Sequence, residues 1–290
     1  MKESFQYKVF RVFNVVILLA VVYVTLFPFL NIVAQSFSSE QYITAGEVSL
    51  IPKGFNIETY KIIMSDSMFW INYKNTVVYT IVGTAISLVL STMMAYPLAK
   101  KRLKGRNFWL MFVVFTMFFN GGIIPNYVLV NSLGFGNTIW AIVIPTAISV
   151  FNLLIMKTFF ENIPDELEEA AIMDGSNTYG ILVKIVLPLS KPILATMFLF
   201  YAVTHWNSWF PAFLYFSEKE LFPVSIYLRN LIKGAEGSLS SGATSADNLT
   251  QIAANIKSVT MVLTVLPIVC VYPYIQKYFV SGVMLGSVKG

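Results

Sequence analysis

The chain has 290 residues, of which 56% are hydrophobic and only 12% charged, with a formal net charge of +5. Soluble domains carry about a quarter charged residues, so a water-soluble fold of this length is excluded: it could not hide so much apolar surface. A single cysteine, Cys270 in an apolar stretch, excludes an internal disulfide and reads as a small buried hydrophobe.

A helix needs about 20 apolar residues to cross the hydrocarbon core, and a charge at mid-membrane costs several kcal/mol. Long charge-free gaps therefore mark spans. Lys2, Lys8 and Arg11 precede a gap of 28 residues that closes at Glu40, which predicts a first span over 12–34. The apolar run outlasts the roughly 7–15 residues of a secretory signal core and no small-x-small cleavage site ends it, so it reads as an uncleaved span. A long connection, 35–74, follows. The 25 uncharged residues between Lys74 and Lys100 predict a span over 75–99. The cluster Lys100, Lys101, Arg102, Lys104 and Arg106 comes next and reads as a cytoplasmic topology anchor.

Between Arg106 and Lys157 lie 50 uncharged residues, room for two spans and a hairpin. The punctuation Asn120-Gly121-Gly122, Pro125, Asn126, Gly134, Gly136 and Asn137 divides them into spans at 108–125 and 138–158. The connector 121–137 is still apolar and is placed partly along the interface. Gaps of 26 residues after Lys191 and 19 after Lys257 predict spans at 192–216 and 258–277. Pro28, Pro97, Pro145 and Pro211 are expected to mark kinks. With the N-terminus inside, the inner segments hold 13 Lys and Arg and the outer ones 7, which puts both termini in the cytoplasm. The expected fold is thus all-α: a polytopic membrane bundle of about six transmembrane helices in one domain, 1–290.

The inner loop 161–191 breaks the positive-inside pattern. Pro164 suits a helix start, and Asp165, Glu166, Glu168 and Glu169 suit its positive end. Ala170 and Ala171 are small and allow close approach. Gly175 suits the C-terminal stop, Ser176 or Asn177 can cap a second helix, and Pro188 ends that helix before the next span. An acidic element is repelled by anionic lipid heads, so a protein partner in the cytoplasm fits better than a membrane-lying connector.

Glu169-Ala170-Ala171, Gly175 and Ile185-Val186-Leu187-Pro188, with Asp174 before the glycine, resemble the signature loop of permease subunits of ATP-binding cassette importers. That family's pattern is Glu-Ala-Ala, three residues, Gly, nine residues, Ile-x-Leu-Pro, and every spacing matches. The resemblance implies a type I importer fold and a coupling role for Glu169, Ala170, Ala171, Asp174, Gly175, Ile185, Leu187 and Pro188. It implies two nucleotide-binding ATPase subunits carrying the ATP and Mg, a second homologous permease, an extracellular solute-binding protein, and a bacterial plasma (inner) membrane location. Ile163-Pro164-Asp165-Glu166-Leu167 and Trp206-Asn207-x-Trp209-Phe210 are similar to the maltose-type carbohydrate class. Asn137-Thr138-Ile139-Trp140, His205 to Phe210 and the tail Gln276 to Met284 resemble Gram-positive permeases for complex oligosaccharides. A carbohydrate, in the form of an oligosaccharide, is the solute so implied; the alternative is an importer of the same superfamily for a non-sugar solute.

No Gly-x-x-x-x-Gly-Lys-Ser/Thr occurs, so a P-loop is not expected in this chain. One His and one Cys leave no His/Cys metal cluster, and an enzyme would have to work through the lone His205. No cofactor, no nucleic-acid partner and no catalytic residue is expected; membrane lipid is. Two readings of the span 5 cluster His205, Trp206, Asn207 and Trp209 stay open: a sugar path, or interhelical bonds and an outer aromatic belt. Two stay open as well for the small, polar run Gly234 to Asp247 in the outer loop 217–257: a mobile connector, or a contact for a partner or solute.

Overall fold

The structure, a computed structural model, describes residues 5–240 and 247–284, with side chains over 6–234 and 255–274. It is helical, with no strand among the described residues. In chain order the helices are α1 (Phe5–Ser36), α2 (Glu40–Thr44), α3 (Glu58–Ser65), α4 (Ser67–Ala99), α5 (Arg106–Phe118), α6 (Ile123–Ser132), α7 (Trp140–Val143) and α8 (Val150–Glu161). There follow α9 (Asp165–Met173), α10 (Thr178–Ile181), a π-helical turn at Leu182–Val186, α11 (Leu187–Leu189), α12 (Lys191–Trp206), α13 (Phe210–Tyr215), α14 (Val224–Ser240) and α15 (Asp247–Met284). Where the charge pattern reads one domain, the chain forms two compact units: Met1–Phe69 with Tyr227–Pro267, and Trp70–Ile226 with Ile268–Gly290.

The charge gaps predict six helices, and the structure divides them differently. Gln6–Ser36, Ser67–Ala99 and Asn255–Tyr274 are each long and apolar enough to cross a bilayer alone. Two bent pairs of helices bring the number to five by length and composition. The third expected span, 108–125, ends early: α5 stops at Phe118 and α6 leaves at 112° to it. Asn120 Oδ1 accepts the Gly122 N–H at 2.9 Å, closing a turn that competes with the helix. Pro125 then sits in the first turn of α6, where its missing N–H costs nothing. The fourth expected span, 138–158, is cut between α7 and α8. Pro145 cannot continue a helix, and the Ser149 hydroxyl starts α8 afresh by accepting the Asn152 N–H. The fifth, 192–216, is interrupted at 207–209 between α12 and α13, with Pro211 in the first turn of α13. Pro28 and Pro97, by contrast, lie inside uninterrupted helices.

In the first unit α1 presents its apolar side chains outward, with none of its most apolar window buried. Only its C-terminal end is packed, and there through polar groups. Ser258 Oγ donates to Gln35 Oε1 at 3.0 Å, Tyr60 to Ser36 Oγ at 2.9 Å, and Ser38 Oγ to the Ala34 carbonyl at 2.7 Å. Asn255, 2% exposed, accepts from Thr59 and donates to the Ser38 carbonyl. With little water to compete for them, such bonds hold helices together where apolar packing alone cannot choose a register. Tyr227, at the start of α14, donates to Asp66; burial first, then the Asp66 hydrogen bond and charge, push its hydroxyl well above the ordinary phenol range.

The run Gly234 to Asp247 was expected as a loop; α14 instead continues to Ser240 and α15 begins at Asp247. Val224, Ile226 and Leu228 anchor the start of α14 in buried positions, and propagating a helix once begun is cheap. Residues 241–246, like Lys2 and Lys289, lie outside the described residues.

The second unit holds two apolar cores. One packs the C-terminal half of α4 against α8, α9 and α12, around Ala95, Leu153, Met156, Phe160, Ala171 and Met197. The other joins Tyr79, Val130, Ala141, Ala212 and Phe216. At the second core Asn137, held at φ 54°, donates its N–H to the Tyr215 carbonyl and accepts the Ser217 N–H at 2.7 Å. This ties the connector before α7 to the end of α13.

Candidate functional site

The loop 161–191 folds as its local chemistry dictates. Pro164, with extended backbone, precedes α9, and Asp165, Glu166 and Glu168 occupy the first turn, where the helix dipole favours carboxylates. The helix ends in a paired-bond stop: the Gly175 N–H donates to the Ile172 carbonyl and the Ser176 N–H to the Ala171 carbonyl, both at 2.9 Å. That geometry needs a left-handed residue between them, and Gly175 supplies it at φ +79°. Asn177 then caps α10, its Oδ1 accepting the Gly180 N–H at 2.7 Å. Pro188 was expected to end the second helix. The helix instead runs through it to Leu189, because the turn at Leu182–Val186 widens to π geometry and so relieves the demand for a Pro188 N–H. The direction changes after Leu189, where Thr178–Leu189 meets α12 at 83°.

The motif residues divide by face. Glu169, Ala170, Asp174 and Gly175 are exposed, together with Met173 at 87%. Ala171 is buried in the core, and Ile185 and Leu187 are half-buried against it, while Pro188 is exposed. The outward face of α9 is thus acidic and apolar together.

The inward face carries a group to which the motif gives no role. Glu168 is 2% exposed, and both of its oxygens are engaged. Oε1 meets Lys100 Nζ at 2.7 Å and accepts from the Tyr96 hydroxyl at 3.3 Å; Oε2 meets Arg102 Nη2 at 3.5 Å. Lys100 is itself buried, also reaches Asp165 at 3.4 Å, and lies over the Tyr96 ring. Beside this group a cavity of about 820 Å³ is bounded by Tyr96, Lys100, Arg102, Asn177 and Tyr179. Arg106 pairs with Glu161 and donates through Nε to the Leu98 carbonyl at 2.8 Å, and Lys157 reaches Glu161 at 2.7 Å. Charge pattern alone makes 100–106 a topology anchor. The available signal for more was two inner segments of opposite sign, with Glu168 and Ala171 three residues apart on one helix face.

The four span 5 residues do not converge on one cavity. His205 and Trp206 are buried between helices. His205 Nε2 and Ser87 Oγ are 3.1 Å apart, and one helical turn away Ser91 Oγ and the Tyr201 hydroxyl are 2.6 Å apart. The Ser149 N–H donates to that same hydroxyl. These pairs form an antiparallel ladder between α4 and α12, and they bring Gly83 so close that a Cβ there would lie 2.8 Å from the His205 ring. Asn207 is exposed and donates to the Val203 carbonyl, and Trp209 is half-buried against Phe210 and Phe213. A separate cavity of about 520 Å³ is lined by Asn120, Asn126, Phe135, Phe210 and Tyr215, with Tyr127 stacked on Tyr215. Among the described residues no group of His, Cys, Asp and Glu could hold a metal ion.

Comparison with known proteins places this geometry. A family model described as the binding-protein-dependent transport system inner membrane component matches residues 87–284. The chain is 42% identical to the protein LplC of Bacillus subtilis strain 168 over 283 residues, covering 98% of this chain and 96% of that one. It is 41% identical over 286 residues to the polygalacturonan/rhamnogalacturonan transport system permease protein YtcP of the same organism, covering 97% and 99%. A solved structure of a bacterial ABC transporter involved in the import of the acidic polysaccharide alginate contains a similar chain. It has a TM-score of 0.83 and 33% identity, with 96% of this chain and 99% of that one covered.

Proposed function

The chain belongs to the family of binding-protein-dependent transport system inner membrane components, and from that membership we infer that it is a transmembrane permease subunit of an ATP-driven importer, moving a carbohydrate, in the form of an oligosaccharide, across the bacterial plasma membrane. The observation that carries the solute class is the similarity, over nearly the whole chain, to a permease named for polygalacturonan and rhamnogalacturonan.

The subunit translocates and does no covalent chemistry. In this reading ATP and Mg belong to two separate nucleotide-binding subunits, a second homologous permease completes the pathway, and an extracellular binding protein delivers the sugar. The chain crosses the membrane six times with both termini in the cytoplasm, α7 and α8 together making the fourth crossing. The exposed face of α9, with Glu169, Ala170, Asp174 and Gly175, docks on a nucleotide-binding subunit. Closure of those subunits displaces α9, and the turn bearing Ile185, Leu187 and Pro188 carries the displacement into α12. Asn207 and Trp209, at the break after α12, are the proposed sugar contacts. His205 and Trp206 join them when α12 slides on α4. Aromatic faces suit the apolar faces of sugar rings, and amides suit their hydroxyls.

Co-purification from native membranes, followed by ATP hydrolysis with a panel of binding-protein-delivered solutes, tests this reading. It predicts recovery with ATPase subunits and a second permease, and stimulation by oligosaccharides. Stimulation by a non-sugar solute alone would overturn the solute class.

A further inference from the structure

The coupling loop is tied by the chain to α8 and α12, the helices on either side of it. The buried Glu168 gives it a third attachment that covalent continuity does not supply. Lys100 and Arg102 lie in the turn just beyond the last residue of α4, and both hold the Glu168 carboxylate. Tyr96, in the last turn of α4, hydrogen-bonds the same oxygen as Lys100. Lys100 and Glu168 side chains are 9% and 3% exposed. Charges taken this far out of water are not there for net stability, since apolar residues of similar volume commonly do as well or better. What such a pair does supply is a fixed geometry: separating it takes from each buried charge its nearest partner. The motif face of α9 points the other way, so the ion pair leaves the exposed residues free. Lower down, Arg106, Glu161 and Lys157 tie the root of the loop to the same 99–106 turn.

We propose that Glu168 is a positioning residue for coupling: held by Lys100 and Arg102, it fastens α9 to the inner end of α4, so that displacement of α9 is delivered to α4 as well as along the chain to α12. The inference rests on the importer reading. It gives 100–106 a mechanical role beside its topological one. It also makes α4, whose Ser87 and Ser91 are laddered to α12, the helix that moves with the loop.

The test uses the complete transporter in proteoliposomes, with assembly measured by co-purification and with solute moved per ATP hydrolysed as the readout. Glu168→Gln should assemble and still hydrolyse ATP, because the docking face is untouched, and should move several-fold less solute per ATP. Glu168→Asp, which keeps the carboxylate, should retain more of that ratio than Glu168→Gln. An unchanged ratio in Glu168→Gln overturns the proposal. Should that variant fail to assemble, Arg102→Gln, on the more exposed side of the clamp, decides: assembly with a lowered ratio supports the clamp, and an unchanged ratio or a failure to assemble overturns it. Gly175→Val, measured alongside, separates the two levels. Coupling lost there but kept in Glu168→Gln sinks the clamp alone, coupling kept in both sinks the docking role of α9 as well, and uptake by the unaltered transporter that needs no ATP sinks the importer reading beneath them.

Discussion

At the scale of single residues, two positions test how the helices are held. Gly83 lets α12 approach α4 closely enough for His205 to meet Ser87, and an alanine Cβ would lie 2.8 Å from the imidazole. Overpacking of this kind costs about 1–3 kcal/mol. Gly83→Ala is therefore expected to lower the thermal midpoint of the purified protein, and an unchanged or higher midpoint would show that the ladder is loose enough to give. Tyr227 offers a pH test. Its hydroxyl titrates above the ordinary phenol value because burial and then Asp66 disfavour the phenolate. A raised folded-state value means a contribution that is complete below about pH 10, the unfolded value, and that is lost as pH climbs through the folded one. Tyr227→Phe should cost about 1–2 kcal/mol near neutrality, a hydrogen bond to a carboxylate in a partly exposed site. The stability gap between the two proteins should then narrow above pH 10. Denaturant unfolding at neutral and alkaline pH measures it, and a gap that stays constant or widens contradicts the assignment.

At the scale of elements, the loop 161–191 depends on its turn. A β-branched side chain at the φ of +79° found at Gly175 costs on the order of 1–3 kcal/mol and would undo the bonds that end α9. Gly175→Val is expected to reduce transport and transport-coupled ATP hydrolysis while membrane insertion, assayed by fractionation, stays intact; normal coupling would remove the docking role from this turn. The turn was legible in the sequence because everything that makes it is local: Pro164, the acidic first turn, Gly175 and the Asn177 cap lie within a few residues of one another. The breaks inside the expected spans were less so. Charge gaps report where a chain can enter lipid and are blind to where its backbone hydrogen bonds fail. Pro145 and Ser149 therefore divided a stretch that hydropathy reads as one, and Asn207 and Ser208 did the same after α12. The Lys100–Glu168 pair was legible only as two segments of opposite sign, with nothing to pair one residue with the other. It joins segments far apart in the chain, and each member has an adequate local explanation, one as a topology anchor and the other as a dipole-favoured carboxylate. Likewise the cluster His205 to Trp209 reads as one polar aromatic patch in sequence. In the structure it is split, because the helix ends at Trp206 and the side chains before and after that point face different neighbours.

At the scale of the whole molecule, composition reveals two features at once, apolar helices suited to lipid and an acidic loop. In the proposed reading the helices supply the path and the loop receives the force. The outward apolar surface of α1 suits lipid, and the proposed reading assigns the binding of ATP to separate subunits. The most direct measurement is accumulation of a labelled oligosaccharide in vesicles holding this chain, its partner permease and the ATPase subunits, with and without ATP and the binding protein. Accumulation against a gradient that requires ATP, the binding protein and this chain is the predicted result. Uptake that proceeds without ATP, or that persists when this chain is left out, would contradict the account.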